Sequence, residues 1–257
     1  MPFQRGRSSS GVKIANVQVA SDSFVRVAPA VINYAMLGCV RLRLPFMAPF
    51  ARQLGFPTGW WGRQITNGLN VFNRAVIEGS IAALEARPGE HVADIGFGGG
   101  HGLRILLDQV HEEGCVYGID PSSTMIAAAQ KRFGEALEQK RLQLIQASMR
   151  EMPFEDGVLD GIATVNTIYY IADDELPASL SELGRVLRPG GRLVVGAADP
   201  SYIEAAPWRD GLINRPPARV VDFMQEAGFT VHEDRRIGES ERAFHVYVAS
   251  TSGAGGR

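Results

Sequence analysis

From Glu90 onward, short apolar runs alternate with longer stretches whose apolar residues recur at helical intervals. Alternation of this kind predicts strands over 91–95, 115–119, 142–147, 159–165 and 192–198, and helices over 102–112, 122–138 and 175–187. Ser122 is placed to cap the second of these helices. Strands joined through helices form a mainly parallel sheet, and such a sheet must be covered on both faces. A further helix, 217–227, leads into "FTVHEDRRI" and "FHVYVAS", which the polar turn "GESER" joins. So short a connection predicts an antiparallel hairpin at the end of the chain. The expected fold class is therefore α/β, a doubly wound, seven-stranded sheet, mainly parallel, with a C-terminal antiparallel hairpin.

Upstream the pattern differs. "NVFNRAVIEGSIAALEA" spaces Val71, Phe72, Ala75, Val76, Ile81 and Leu84 as one face of a helix. Before it, residues 24–56 are apolar, studded with arginine and broken by Pro29, Pro45 and Pro49, which predicts short helices. The organisation that follows is a disordered lead over 1–20, a helical cap or lid over 21–66, a main domain over 67–250 and a flexible tail over 251–257. The most apolar run, "VAPAVINYAMLGCV", has fourteen residues, short of the ~20 that span a bilayer.

Composition narrows the function classes. The chain has 257 residues, 45% of them hydrophobic, and a formal net charge of -2. That balance argues against a nucleic-acid partner. The charge is uneven, with seven basic residues in positions 1–57 against the single acid Asp22. Arg41, Arg43 and Arg52 flank the apolar run, so loose peripheral contact with an anionic membrane is one expectation for this section. Two cysteines, Cys39 and Cys115, make neither a disulfide framework nor a zinc cluster. No metal is expected, and a reducing cytoplasm fits.

The candidate chemistry lies in "HVADIGFGGGHG", residues 91–102, where five glycines occupy seven positions directly after a strand. In a doubly wound sheet this turn lies at the carboxyl edge, where bare backbone lets a ligand approach the N–H groups of the next helix. The spacing is not the dinucleotide pattern G-x-G-x-x-G: counted from Gly96 the sixth position is His101, and from Gly98 it is Leu103. A nicotinamide dehydrogenase is disfavoured on that ground. Asp94 stands instead at the strand end, a carboxylate suited to an ammonium group, so the ligand should be zwitterionic.

At these residues the chain resembles the class I S-adenosylmethionine-dependent methyltransferases, and more closely a bacterial branch similar to the ubiquinone and menaquinone biosynthesis methyltransferases. The resemblance runs from about Gln53 to Ser250 and implies a Rossmann-like fold. It implies that Asp94, Gly96, Phe97, Gly98 and Gly100 hold the methionyl part of the cofactor. Asp120 and Pro121, in "VYGIDPS", would meet the ribose. Ser148 and Met149, in "QASMREMPF", would lie beside the adenine, with Ser148 where many relatives carry an aspartate. Asn166 and Ile168 follow the fourth strand in "MPFEDGVLDGIATVNTIYYI" and are further cofactor candidates. "LGRVLRPGGRLVV" is similar to the family's helix, turn and fifth strand.

For the acceptor, Tyr169, Tyr170, Trp60 and Trp61 are the candidate contacts, Tyr169 more than Tyr170. Transfer from a sulfonium is a displacement with a good leaving group, so alignment and desolvation can carry much of it. No spacing singles out a general base, and Tyr169 is the one named candidate. His101, His232 and His245 read as surface or core residues. Two function classes are carried forward. One is an enzyme methylating a small, apolar metabolite such as a quinone, polyketide, terpenoid or lipid-like molecule. The alternative is a methyltransferase-fold protein that binds a ligand or partner without turnover.

Overall fold

A computed structural model describes residues 73–206, 209–238 and 243–252. The expected lead and cap, and with them Trp60 and Trp61, lie outside the described residues. The described chain runs α1 (Arg74–Leu84), β1 (His91–Ile95), α2 (His101–Val110), β2 (Cys115–Ile119), α3 (Ser123–Arg132), α4 (Gly134–Glu138), β3 (Leu142–Ile145) and β4 (Leu159–Val165). A one-turn 3-10 helix (Ile168–Tyr170) precedes α5 (Leu176–Val186), β5 (Leu187–Ala198) and α6 (Pro200–Ala205). A second 3-10 turn (Arg209–Gly211), α7 (Pro217–Glu226), β6 (Phe229–Ile237) and β7 (Phe244–Thr251) complete it.

The sheet has seven strands in the order β3-β2-β1-β4-β5-β7-β6. The first five are parallel, and β7 lies antiparallel to both β5 and β6. Chain order runs outward from β1 to β3 on one side and restarts with β4 on the other. That reversal opens a crevice at the carboxyl ends of β1 and β4. Both faces of the sheet are covered: Ala93 and Ile95 belong to one apolar cluster and Val92 to another, as the period of two along a strand requires. Each fully buried leucine or isoleucine contributes ~1.5–3 kcal/mol to holding helix against sheet.

Helix α1 sits close on the sheet because the strands beneath it are bare. A Cβ on Gly161 of β4 would come within 3.0 Å of Leu84, and one on Gly196 of β5 within 2.5 Å of the Ser80 hydroxyl. Val76, Ile81 and Leu84 are buried there, and the other end of the helix reaches the crevice.

Four elements depart from the expected pattern. The helix predicted over 122–138 is two helices, broken at Phe133, whose own N–H still closes on Ala129. Ser122 does cap the first, accepting from the Met125 N–H at 3.4 Å. Strand β3 stops at Ile145, two residues short. Strand β5 begins at Leu187 rather than 192, because a bulge pairs Leu187 with Leu159 before regular pairing resumes at Gly161 and Arg192. Helix α6 was not anticipated, although Asp199 caps it through the Ser201 N–H at 2.9 Å and Pro200 opens it.

Candidate functional site

A cavity of about 350 Å³ opens at the carboxyl ends of β1, β2 and β4. Its floor is the turn between β1 and α2. Gly96 takes a φ of 72° and Gly98 one of 49°, left-handed conformations that cost glycine nothing. A side chain on Gly96 would also overlap the methyl of Thr167. The Arg132 guanidinium holds the turn from outside by donating to the Gly99 carbonyl.

Asp94 ends β1 beneath this turn, 5% exposed. Its carboxylate lies against Gly102 in the first turn of α2, so close that a Cβ there would overlap Oδ2. Among the described residues no hydrogen-bond donor or cation pairs with it. Burial raises its pKa to about 7, and the neighbouring charge of Asp120 adds to the rise.

Asp120, at the end of β2, is also buried. Burial raises its pKa, while two N–H groups work against the rise. Oδ1 accepts from Ser122 at 2.8 Å and Oδ2 from Gly98 at 3.2 Å. Each oxygen keeps a lone pair for a ligand.

Asn166 follows β4 with a φ of 58°, in the left-handed region that asparagine enters more readily than most residues. Its N–H donates to Gly196 at 2.7 Å, and its side-chain oxygen is buried with no hydrogen-bond partner among the described residues. Next to it the hydroxyls of Thr164 and Thr167 meet at 2.6 Å, and Thr164 also reaches the Ile95 carbonyl at 3.0 Å. These bonds fasten the segment after β4 to the strand that carries Asp94.

The expected site residues Asp94, Gly96, Phe97, Gly98, Asp120, Pro121, Ser148, Met149 and Asn166 all border the cavity. Gly100 and Ile168 do not. Gly100 caps α2, its Cα turned toward Phe133, and Ile168 is buried in the core. Ser148 is exposed at the rim, where its hydroxyl accepts from the Arg150 N–H at 3.3 Å.

Tyr169 and Tyr170 both border the cavity, their rings edge to face at 5.0 Å. Burial pushes both phenols above the ordinary tyrosine range, with their neighbouring phenols adding to it. At neutral pH neither ionises. His245 lies away from the cavity, its ring between Asp234 at 2.7 Å and Asp199 at 3.3 Å.

The lining includes residues that the sequence pattern did not bring forward. Tyr202, Ile203 and Ala206 come from α6 and its end, Ile77 and Ile81 from α1, and Gly102 from α2. The spacing of Tyr202, Ile203 and Ala206 is that of one helical face, and Asp199-Pro200 is a start signal, so α6 was legible. Among the described residues no group of three or more His, Cys, Asp or Glu side chains could hold a metal ion, and no helix is long and apolar enough to cross a membrane.

Residues 92–191 match the family described as Methyltransferase domain. An uncharacterized 37.1 kDa protein in transposon TN4556 of Streptomyces fradiae is 42% identical over 118 residues, covering 46% of this chain and 32% of the relative. A demethylmenaquinone methyltransferase of Symbiobacterium thermophilum is 31% identical over 114 residues, covering 44% and 45%. The chain thus spans less than half the length of these two relatives. In fold it is similar to a SAM dependent methyltransferase from Aquifex aeolicus, with a TM-score of 0.60 at 22% identity, over 73% of this chain and 97% of that one. The strand order β3-β2-β1-β4-β5-β7-β6, the glycine turn above Asp94 and the domain match over residues 92–191 make the chain similar to the class I S-adenosylmethionine-dependent methyltransferases.

Proposed function

We propose that the protein transfers a methyl group from S-adenosylmethionine to a small, apolar acceptor. The observation that carries this reading is the Asp94 carboxylate, buried at the cavity floor without a cation among the described residues. A buried charge left so is costly unless a ligand completes it. The ammonium of a methionyl group is such a cation, and the orphaned Asn166 oxygen at the same cavity is a further acceptor for it. The residues present therefore fit the cofactor.

In this reading Asp94 and Asn166 hold the methionyl end, and the bare turn at Gly96 and Gly98 admits it. The remaining lone pairs of Asp120 accept ribose hydroxyls, while Pro121, Ser148 and Met149 flank the adenine. When bound, the cofactor supplies a methyl group made electrophilic by its sulfonium. The acceptor lies toward Tyr169, Tyr170 and Tyr202, with Ile77, Ile203 and Leu212 as its apolar surroundings; all border the cavity. The chain's contribution is then to align the acceptor and to exclude water from it. Both tyrosines 169 and 170 stay protonated and act as hydrogen-bond donors or ring surfaces rather than as bases.

The demethylmenaquinone relative supports an apolar ring compound as acceptor, and quinols, phenolic polyketides and terpenoids form the first panel to test. With methyl-labelled cofactor, label should pass to at least one of these or to an apolar component of a cell extract. Label that stays on the cofactor throughout, although the cofactor binds, would refute transfer.

A further inference from the structure

Arg215 is buried deep beside the cavity without bordering it, and its contacts are unusual for a packing residue. Its side chain is 4% exposed. Nη1 donates to the carbonyl of Ile168 at 2.7 Å, Nη2 to the carbonyl of Ile171, and Nε to Asp173 at 2.6 Å. The first two acceptors bracket the 3-10 turn that carries Tyr169 and Tyr170.

Few backbone hydrogen bonds of its own hold that turn. Its own backbone bonds are Tyr170 to Thr167 at 3.0 Å and Ile171 to Ile168 at 3.2 Å, and 3-10 bonds are poorly aligned. The segment 212–215 supplies the rest. The Ile213 N–H donates to the Tyr169 carbonyl at 2.8 Å, so the carbonyls of 168, 169 and 171 are all taken by residues 213 and 215. Asn214, between them, donates to the Pro200 carbonyl at 3.2 Å, which fastens the same segment to α6 and hence to Tyr202. Leu212 of this segment borders the cavity itself.

The segment is stiff as well as bonded. Pro216 and Pro217 follow Arg215 and open α7, which restricts the backbone before them to extended forms. The Phe223 ring of α7 lies 5.9 Å from the guanidinium carbon.

We infer that Arg215 is a positioning residue for the acceptor: it locks the turn bearing Tyr169 and Tyr170, and through its own segment α6, so that three tyrosines form one fixed aromatic wall. The inference rests on the reading of that end of the cavity as the acceptor site. Only arginine suits the task. A planar guanidinium directs donors to three separated oxygens at once, whereas a lysine ammonium is a point donor on a flexible stem.

The test compares Arg215→Lys with the unaltered protein, both saturated with S-adenosylhomocysteine, using the neutral planar fluorophore N-phenyl-1-naphthylamine as probe. The probe should bind about tenfold more weakly to the variant, while the Kd for S-adenosylhomocysteine stays within twofold. Amide hydrogen exchange should quicken at Tyr170, Ile171 and Ile213. Asp173→Asn, on a 62% exposed partner, should shift probe affinity the same way but less, and it decides the matter if the lysine variant does not fold. Unchanged probe affinity in the folded variants would overturn the inference, and so would an equal loss of S-adenosylhomocysteine affinity, which would mark general damage. If the unaltered protein with S-adenosylhomocysteine bound does not take up the probe, the apolar acceptor reading fails instead.

Discussion

At the amino ends of β1 and β4, Glu90 and Asp160 face arginines; at the carboxyl ends of β1 and β2, Asp94 and Asp120 face each other. Arg192 pairs with Glu90 and also donates to the Leu84 carbonyl at 2.8 Å. Arg188 pairs with Asp160 and reaches Glu90 at 3.7 Å. Asp160 further accepts from the His91 N–H at 2.6 Å. Burial works to raise the pKa of Glu90, yet hydrogen bonds from Arg192 and the Arg87 N–H, with the arginine charges, hold it below the ordinary range. At Asp94 no group among the described residues opposes burial, and the pKa rises to about 7. One sheet thus carries two acidic pairs of similar burial. The amino edge neutralises its charges internally, and the carboxyl edge, where the proposed cofactor site lies, leaves Asp94 to be neutralised from outside.

The largest effect should come from breaking the paired edge. Arg192→Met leaves Glu90 only the Arg87 N–H and the more distant Arg188, and removing one member of a buried pair costs up to ~3–5 kcal/mol of stability. Urea denaturation should show it as a lower midpoint, while cofactor affinity, read by calorimetry on the folded fraction, stays within about twofold.

At the open edge the opposite pattern is expected. Asp94→Asn removes charge-assisted bonds of ~1.5–3 kcal/mol, so the cofactor Kd should rise roughly 10- to 150-fold. Stability should move the other way. The folded protein without ligand keeps a proton on Asp94 up to about pH 7, whereas the unfolded chain releases it near the ordinary aspartate value of 3.8. Asp94 therefore lowers stability progressively as pH rises between those two values, by ~1.4 kcal/mol per unit, and the loss levels off above pH 7. At pH 8 the ligand-free asparagine variant should be more stable than the unaltered protein by up to ~4 kcal/mol. Cofactor affinity should fall about tenfold per unit below pH 7 in the unaltered protein and stay flat in the variant. A flat profile in both would separate Asp94 from the ligand.

The smallest effect sharpens the same contrast. Gly102→Ala puts a methyl group against Asp94 Oδ2 and should displace the carboxylate enough to weaken the cofactor by about tenfold, ~1.4 kcal/mol. Circular dichroism should show an unaltered or slightly firmer helix α2, since alanine favours helix over glycine by ~1 kcal/mol.

Much of the frame was legible because its local rules agree. Strands 91–95, 115–119 and 159–165 fall where expected, each an apolar run closed by a turn or by Asp or Asn. What could not be read was tertiary. The start of β5 depends on a bulge that pairs Leu187 across to Leu159, and no local preference of Arg188-Pro189-Gly190-Gly191 announces it. Gly102 looks like any glycine at a helix start until the fold brings Asp94 beneath it. Tyr202 carried a helical signal that the wide spacing of the major elements overshadowed. Arg215 offered none, since its three acceptors lie more than forty residues away.

The strand order has a consequence for how the protein is made. β7 pairs with β5 on one side and β6 on the other, yet it follows both in the chain. While synthesis proceeds in order, β5 is completed with its outer edge bare, from Arg192 to Ala198, and β6 emerges with no neighbour it is meant to join. Neither edge closes until the stretch from Phe244 to Thr251 has left the ribosome. An apolar edge open for that interval is the kind of surface to which a second unfinished chain can add. The charges on β6, Glu233, Asp234, Arg235 and Arg236, which stay exposed in the finished sheet, discourage such pairing during the wait. The tyrosine-lined side of the cavity hangs from the end of β5 through α6, so its support is completed only when β7 pairs with β5.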